Sequence, residues 1–243
     1  MKKVFDGNIG LSNLHLNELF NLSDVEVSGI FDCSNNSLTS LKGSPHTVGG
    51  DFDCSNNKLT NLIGAPSTVN GIFVCYNNKL TSIEGLSKTI NSHLILDAYI
   101  KDKFSEEYIR SRCKIRGTIH FVTAEFEDAG NINDPGVGYG YGETPEELNH
   151  IDLSNLELTK LPNLYDVEVT GNFNCSSNYL TNLVGAPKTI HHSFLCDDND
   201  LNSLEGISTF IGGGFFIDKK LEDKFPEEYI RGLCTINGTV RYT

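Results

Sequence analysis

One stretch, Phe52 to Val69, recurs on both sides of itself at a fixed interval, and this constrains the fold more than anything else in the chain. Cys33, Cys54 and Cys75 lie twenty-one residues apart, and Cys175 and Cys196 repeat the interval. A period of that length marks a solenoid, in which copies must stack because a single one cannot bury its own apolar face. Most copies read apolar-x-apolar-x-x-Asn-x-Leu-x-x-Leu, with Leu14 and Leu156 replacing the asparagine in the first copy of each half. Phe52 and Cys54 alternate with Asp53 and Ser55, so one short strand turns two side chains inward and two outward. Stacked strands then form a parallel sheet with a spacing of about 4.8 Å. Asn57, like Asn36, Asn78, Asn178 and Asn199, falls where the chain leaves the strand. Its amide offers donors and an acceptor, so it is expected to satisfy backbone groups there in turn after turn. Leu59 and Leu62 close the inside of the coil, and Gly64 with Pro66 suits a tight, non-helical return.

The spacing of these Asn and Leu positions, with Leu59-Thr60-Asn61-Leu62 and the nearby Pro66, resembles the leucine-rich repeat, in particular its short bacterial type. The resemblance covers most of the chain and implies an α/β solenoid, a right-handed coil of mostly strand and loop. The run Phe52-Asp53-Cys54-Ser55-Asn56-Asn57-Lys58-Leu59-Thr60 also looks like small repeat-only proteins of large tailed bacteriophages and some bacteria. That likeness implies a cytoplasmic interaction protein that binds and inhibits or modulates a host factor. The bacterial effector ligases with similar repeats carry a separate catalytic domain, and nothing in this chain corresponds to one.

Inward pairs run Ile9/Leu11, Phe31/Cys33, Phe52/Cys54, Phe73/Cys75 and Leu94/Leu96, after which the pattern stops. Phe104 to Arg110 has early acids and a later arginine, which suit a short helix and its dipole. Cys113 to Val122 then reads as a terminal strand, closing an end that would otherwise leave apolar surface bare. The pattern restarts at Ile151 and gives Ile151/Leu153, Phe173/Cys175, Phe194/Cys196 and Phe215/Ile217, ending in a helix at Phe225 to Arg231 with Pro226 near its start. In the final segment Asn237-Gly238 leaves a hairpin open as an alternative to a single strand. The expectation is therefore two tandem capped units, 1–122 and 150–243, joined by an acidic, glycine-rich connector at 123–149.

Composition narrows the function. The formal net charge of -13 argues against direct binding of nucleic acid and favours partners with a basic or mixed apolar and basic surface. No apolar run reaches the length of a transmembrane helix, and Met1 to Gly10 lacks the core of a secretory signal, so a cytoplasmic location is expected. Five of seven cysteines occupy the inward position, which reads as small apolar filler in a reducing compartment, not as disulfides or metal ligands. The seven histidines are scattered with no nucleophile beside them. No catalytic residue, cofactor or metal is expected.

The functional lead is the outward strand face. Its central column runs Gly10, Asp32, Asp53, Val74, Ile95 in the first half and Asp152, Asn174, Leu195, Phe216 in the second. Neighbouring columns add Ile30, Asp51, Ile72 and His93 on one side, Tyr76 and Asp97 on the other. Ile72, Val74, Tyr76 and Ile95 would form an exposed apolar cluster edged by Asp51, Asp53 and Asp97, a docking surface for a protein unless the terminal helix or the other half covers it. The connector contributes Asp128, Asp134, Tyr139 and Tyr141 as candidate recognition residues. Its Asn131 to Gly136 segment is a poor calcium loop, because Pro135 falls at a ligand position. The competing function is an acidic decoy that occupies a nucleic-acid-binding protein.

Overall fold

Each twenty-one-residue copy makes one turn of a parallel β-solenoid, and a computed structural model describes residues 3–123 and 150–243 of it. The first half contributes β1 (Lys3–Phe5), β2 (Ile9–Gly10), β3 (Val25–Val27), β4 (Phe31–Asp32), β5 (Thr47–Val48), β6 (Phe52–Asp53), β7 (Thr68–Val69), β8 (Phe73–Val74), β9 (Thr89–Ile90) and β10 (Leu94–Asp97). Helices α1 (Ile100–Lys103) and α2 (Glu106–Arg112) follow, then β11 (Lys114–Ile115) and β12 (Ile119–Val122). The second half contributes β13 (Ile151–Asp152), β14 (Glu168–Val169), β15 (Phe173–Asn174), β16 (Thr189–Ile190), β17 (Phe194–Leu195), β18 (Phe210–Ile211) and β19 (Phe215–Ile217). It ends with α3 (Glu227–Leu233), β20 (Thr235–Ile236) and β21 (Val240–Tyr242).

The expected single sheet is two sheets. Odd strands of the first half stack as β1-β3-β5-β7-β9-β11 and even ones as β12-β10-β8-β6-β4-β2, and the second half repeats the arrangement. Thr-Val and Thr-Ile pairs at the end of each copy build the additional sheet: Thr47, Thr68 and Thr89 align, as do the inward Val48, Val69 and Ile90. Glycines make the corners between sheets. A Cβ on Gly49 would sit 2.1 Å from the Ser28 carbonyl oxygen of the turn below, so backbone must pass there without a side chain. Gly64 takes the return with φ of +97°, as its residue type implied.

The inward columns are as expected. Phe31, Phe52 and Phe73 are in register, with ring centroids 5.8 and 4.9 Å apart, and all are fully buried. Cys33, Cys54 and Cys75 pile up beside them, each donating its N–H to the next turn at 2.8–3.0 Å. All seven cysteines are free and buried, and burial pushes every thiol upward, Cys113 and Cys234 to about 11. They are inert filler, not nucleophiles.

The asparagine ladder fastens one turn to the next. Asn57 Nδ2 reaches the carbonyls of Cys33, Cys54 and Ser55 at 3.0–3.2 Å, and its Oδ1 accepts the Leu38 N–H at 2.9 Å. Asn36, Asn78, Asn178 and Asn199 repeat this pattern. Before it, Asn35, Asn56 and Asn77 take positive φ near 50°, a conformation asparagine tolerates.

At each far end the coil changes form. Helix α2 starts with Ser105 accepting the Tyr108 N–H, and α3 starts after Pro226. The segment read as one terminal strand is a further full turn: β11 pairs with β9 and β12 with β10. Likewise β20 joins β18 and β21 joins β19, both parallel, so Asn237-Gly238 is a corner and not a hairpin.

The two starting edges meet. Strands β2 and β13, each the first of its sheet, lie against one another, and the turns recede from them in both directions. Ile9, Leu11, Ile151 and Leu153 are therefore no more than 1 % exposed, although no earlier copy covers them. Each half thus begins at this contact and builds its turns away from it. Lys3, ahead of β2, pairs with Glu157, beyond β13, across the same meeting edges.

Candidate interaction face

Edge-to-edge contact joins the two outward columns into one band. From the first half to the second it reads His120, Ile95, Val74, Asp53, Asp32, Gly10, then Asp152, Asn174, Leu195, Phe216, Arg241. Its middle is polar and acidic. A Cβ on Gly10 would meet nothing within 4 Å, so a notch sits between Asp32 and Asp152.

Several expected partner contacts are placed otherwise. Val74 and Ile95 are 2 % and 1 % exposed and align on adjacent strands, so the anticipated exposed cluster does not include them. Asp97 is also buried: its Oδ1 takes the Asn77 N–H at 2.7 Å and its Oδ2 the Asn78 N–H at 3.3 Å, which ends the asparagine ladder. Asp218 does the same in the second half, accepting the N–H groups of Asp198 and Asn199. Ile30, Asp32, Asp51, Asp53, Ile72, Tyr76, Leu195 and Phe216 are half-buried on this side of the coil. Asp51 is held at a corner, its Oδ1 accepting the Ile72 N–H at 2.7 Å. Asp128, Asp134, Tyr139 and Tyr141, with the Asn131 to Gly136 segment, lie outside the described residues.

Burial raises two carboxyls on this side of the coil, Asp97 and, further, Asp53. Burial, then the aligned Asp32 carboxylate, push it from the usual range up to about 7, against hydrogen bonds from Ser55 that favour the anion. A carboxyl whose folded value exceeds its unfolded one binds more protons in the native state. Stability contributed by this group is thus complete below pH 4 and lost as pH rises through 7. We expect stability to fall by about 1 kcal/mol per pH unit between pH 5 and 7, and Asp53→Asn to flatten that slope. Urea titrations at fixed ionic strength across this range check it; an unchanged slope in the variant refutes the assignment.

One pair escaped sequence reasoning. His93 and His120 stand twenty-seven residues apart in the chain, yet pack together, one just ahead of β10 and the other on β12, with ring centroids 5.4 Å apart. The signal was His93 beside the outward column and His120 in it on the next turn, obscured because the turn at β11 and β12 departs from the repeat.

The class defined by this geometry is a parallel β-solenoid with two back-to-back runs of turns. Comparison with protein-family models, with curated proteins and with solved structures finds no match for the chain. Among the described residues no group of three His, Cys, Asp or Glu is gathered for a metal, and no helix is long and apolar enough to cross a membrane.

Proposed function

We propose that this chain is a non-enzymatic protein-interaction module of leucine-rich-repeat type, two capped right-handed units whose outward band binds a protein with a basic or mixed apolar and basic surface. The observation carrying this reading is the band itself: half-buried Leu195 and Phe216 stand on the sheet face beside the acidic centre formed by Asp152, Asp32 and Asp53. A solvated strand face does not need such large apolar side chains. The phage-like repeat phrasing fits a cytoplasmic protein directed at a host factor. Helices α2 and α3 act as caps, and residues 123–149 as the connector.

Affinity capture from the native cell with mass spectrometry tests the reading. The double variant Leu195→Glu, Phe216→Glu is expected to lose the captured protein while its melting temperature stays near that of the parent chain. Unaltered capture by a folded double variant counts against it. The net charge of -13 supports a second reading, a decoy for a nucleic-acid-binding protein. Decoy binding would weaken steeply with added salt, whereas an apolar contact depends on it weakly.

A further inference from the structure

At the far end of the first half, one hydroxyl sits between two imidazoles. Thr118 Oγ1 is 2.6 Å from His93 Nδ1 and 2.5 Å from His120 Nε2. The Thr118 backbone N–H also points at His93 Nδ1, at 3.2 Å, so that nitrogen carries a lone pair and no proton. The hydroxyl then donates to His93, and His120 Nε2–H donates to the hydroxyl. Both ring nitrogens are thereby aimed at one point and stand no more than about 5 Å apart. Two metal–imidazole bonds of about 2.0–2.1 Å span roughly 4 Å, so a small ring rotation brings both onto one ion.

The duplicated half shows that closing the last turn does not require this. Gly214, Thr239 and Arg241 hold the corresponding places, and there Arg241 lies over the Phe216 ring at 5.7 Å and donates to Thr239 Oγ1 at 3.3 Å. The same turn is made with no imidazole. Two histidines on the outward side of the first half alone are thus an addition to the repeat, not a consequence of it.

We propose that His93 Nδ1, His120 Nε2 and the Thr118 hydroxyl bind a borderline divalent transition-metal ion, of the Cu2+, Ni2+ or Zn2+ class. Imidazole nitrogen suits these ions, and hard ions such as Mg2+ or Ca2+ select oxygen donors instead. On binding, His93 Nδ1 gives up its hydrogen bonds from the Thr118 N–H and hydroxyl and turns its lone pair to the ion, the His120 ring moves its proton from Nε2 to Nδ1, and the Thr118 hydroxyl becomes a weak third ligand through its oxygen, with water completing the set. The cysteines do not compete, because all seven are buried. An imidazole outside the pair, His191 with Glu168 at 2.7 Å, supplies an internal control.

The experiment is a Cu2+ titration of the full chain by calorimetry, with electron paramagnetic resonance of the bound ion. One equivalent is expected, with hyperfine structure from two nitrogens. His93→Gln and His120→Gln should each weaken it by more than the roughly 10–100-fold that follows loss of a supporting residue at a metal site, and His191→Gln should not change it. His120→Arg copies the residue of the second half and removes the ligand if the glutamine variant unfolds. Equal affinity in folded variants, or binding by the parent chain no tighter than that of free imidazole, overturns the proposal.

Discussion

Asn57→Ala is expected to destabilise the protein by about 3–5 kcal/mol, since an unmade bond at a buried polar group costs about 1–3 kcal/mol and several are lost together. The side chain is buried, and its amide serves Cys33, Cys54 and Ser55 carbonyls as well as the Leu38 N–H. Water cannot replace it, because alanine leaves these groups inside a closed turn. Asn70→Ala is the control: its Oδ1 accepts one exposed bond from Asn91, and the change should stay within about 0.5 kcal/mol. Urea midpoints of the two variants decide the matter, and equal midpoints would remove the ladder from the account of stability.

The second large effect lies at the meeting edges. Leu153→Lys places an unpaired charge in a fully buried position of the first turn of the second half, and a loss of more than about 4 kcal/mol is expected. The parted edges would each expose strand backbone and apolar side chains, so the variant should associate as its concentration rises. Light scattering and denaturant titration read both outcomes. A subtler measure is the double-mutant cycle between Ile9→Ala and Ile151→Ala, where contact predicts a coupling above about 0.5 kcal/mol. Strict additivity would mean that the two halves do not seal one another.

The asparagine ladder and the Phe and Cys columns were legible because a repeat stacks identical residues on themselves. If Phe31 lies one period from Phe52, a solenoid has no choice but to align them. The second sheet was harder to see. Thr68-Val69 is a strand of two residues, too short for alternation to announce it, and only pairing with Thr47-Val48 and Thr89-Ile90 makes it one. Burial of Val74 and Ile95 was illegible for a related reason. Alternation tells which side of a strand a residue faces, but not whether that side is shielded. Asp97 was misjudged as a surface acid because its partners, the Asn77 and Asn78 N–H groups, belong to the preceding turn.

Sequence alone thus determined the coil, its period, its inward columns and its duplication, since these follow from local alternation and from identical copies stacking at one spacing. Tertiary structure alone decided that β2 meets β13, that the outward columns form one band, and that His93 finds His120. Such contacts join residues that no period relates. They depend on how unlike surfaces fit in space, and a repeat carries no record of that.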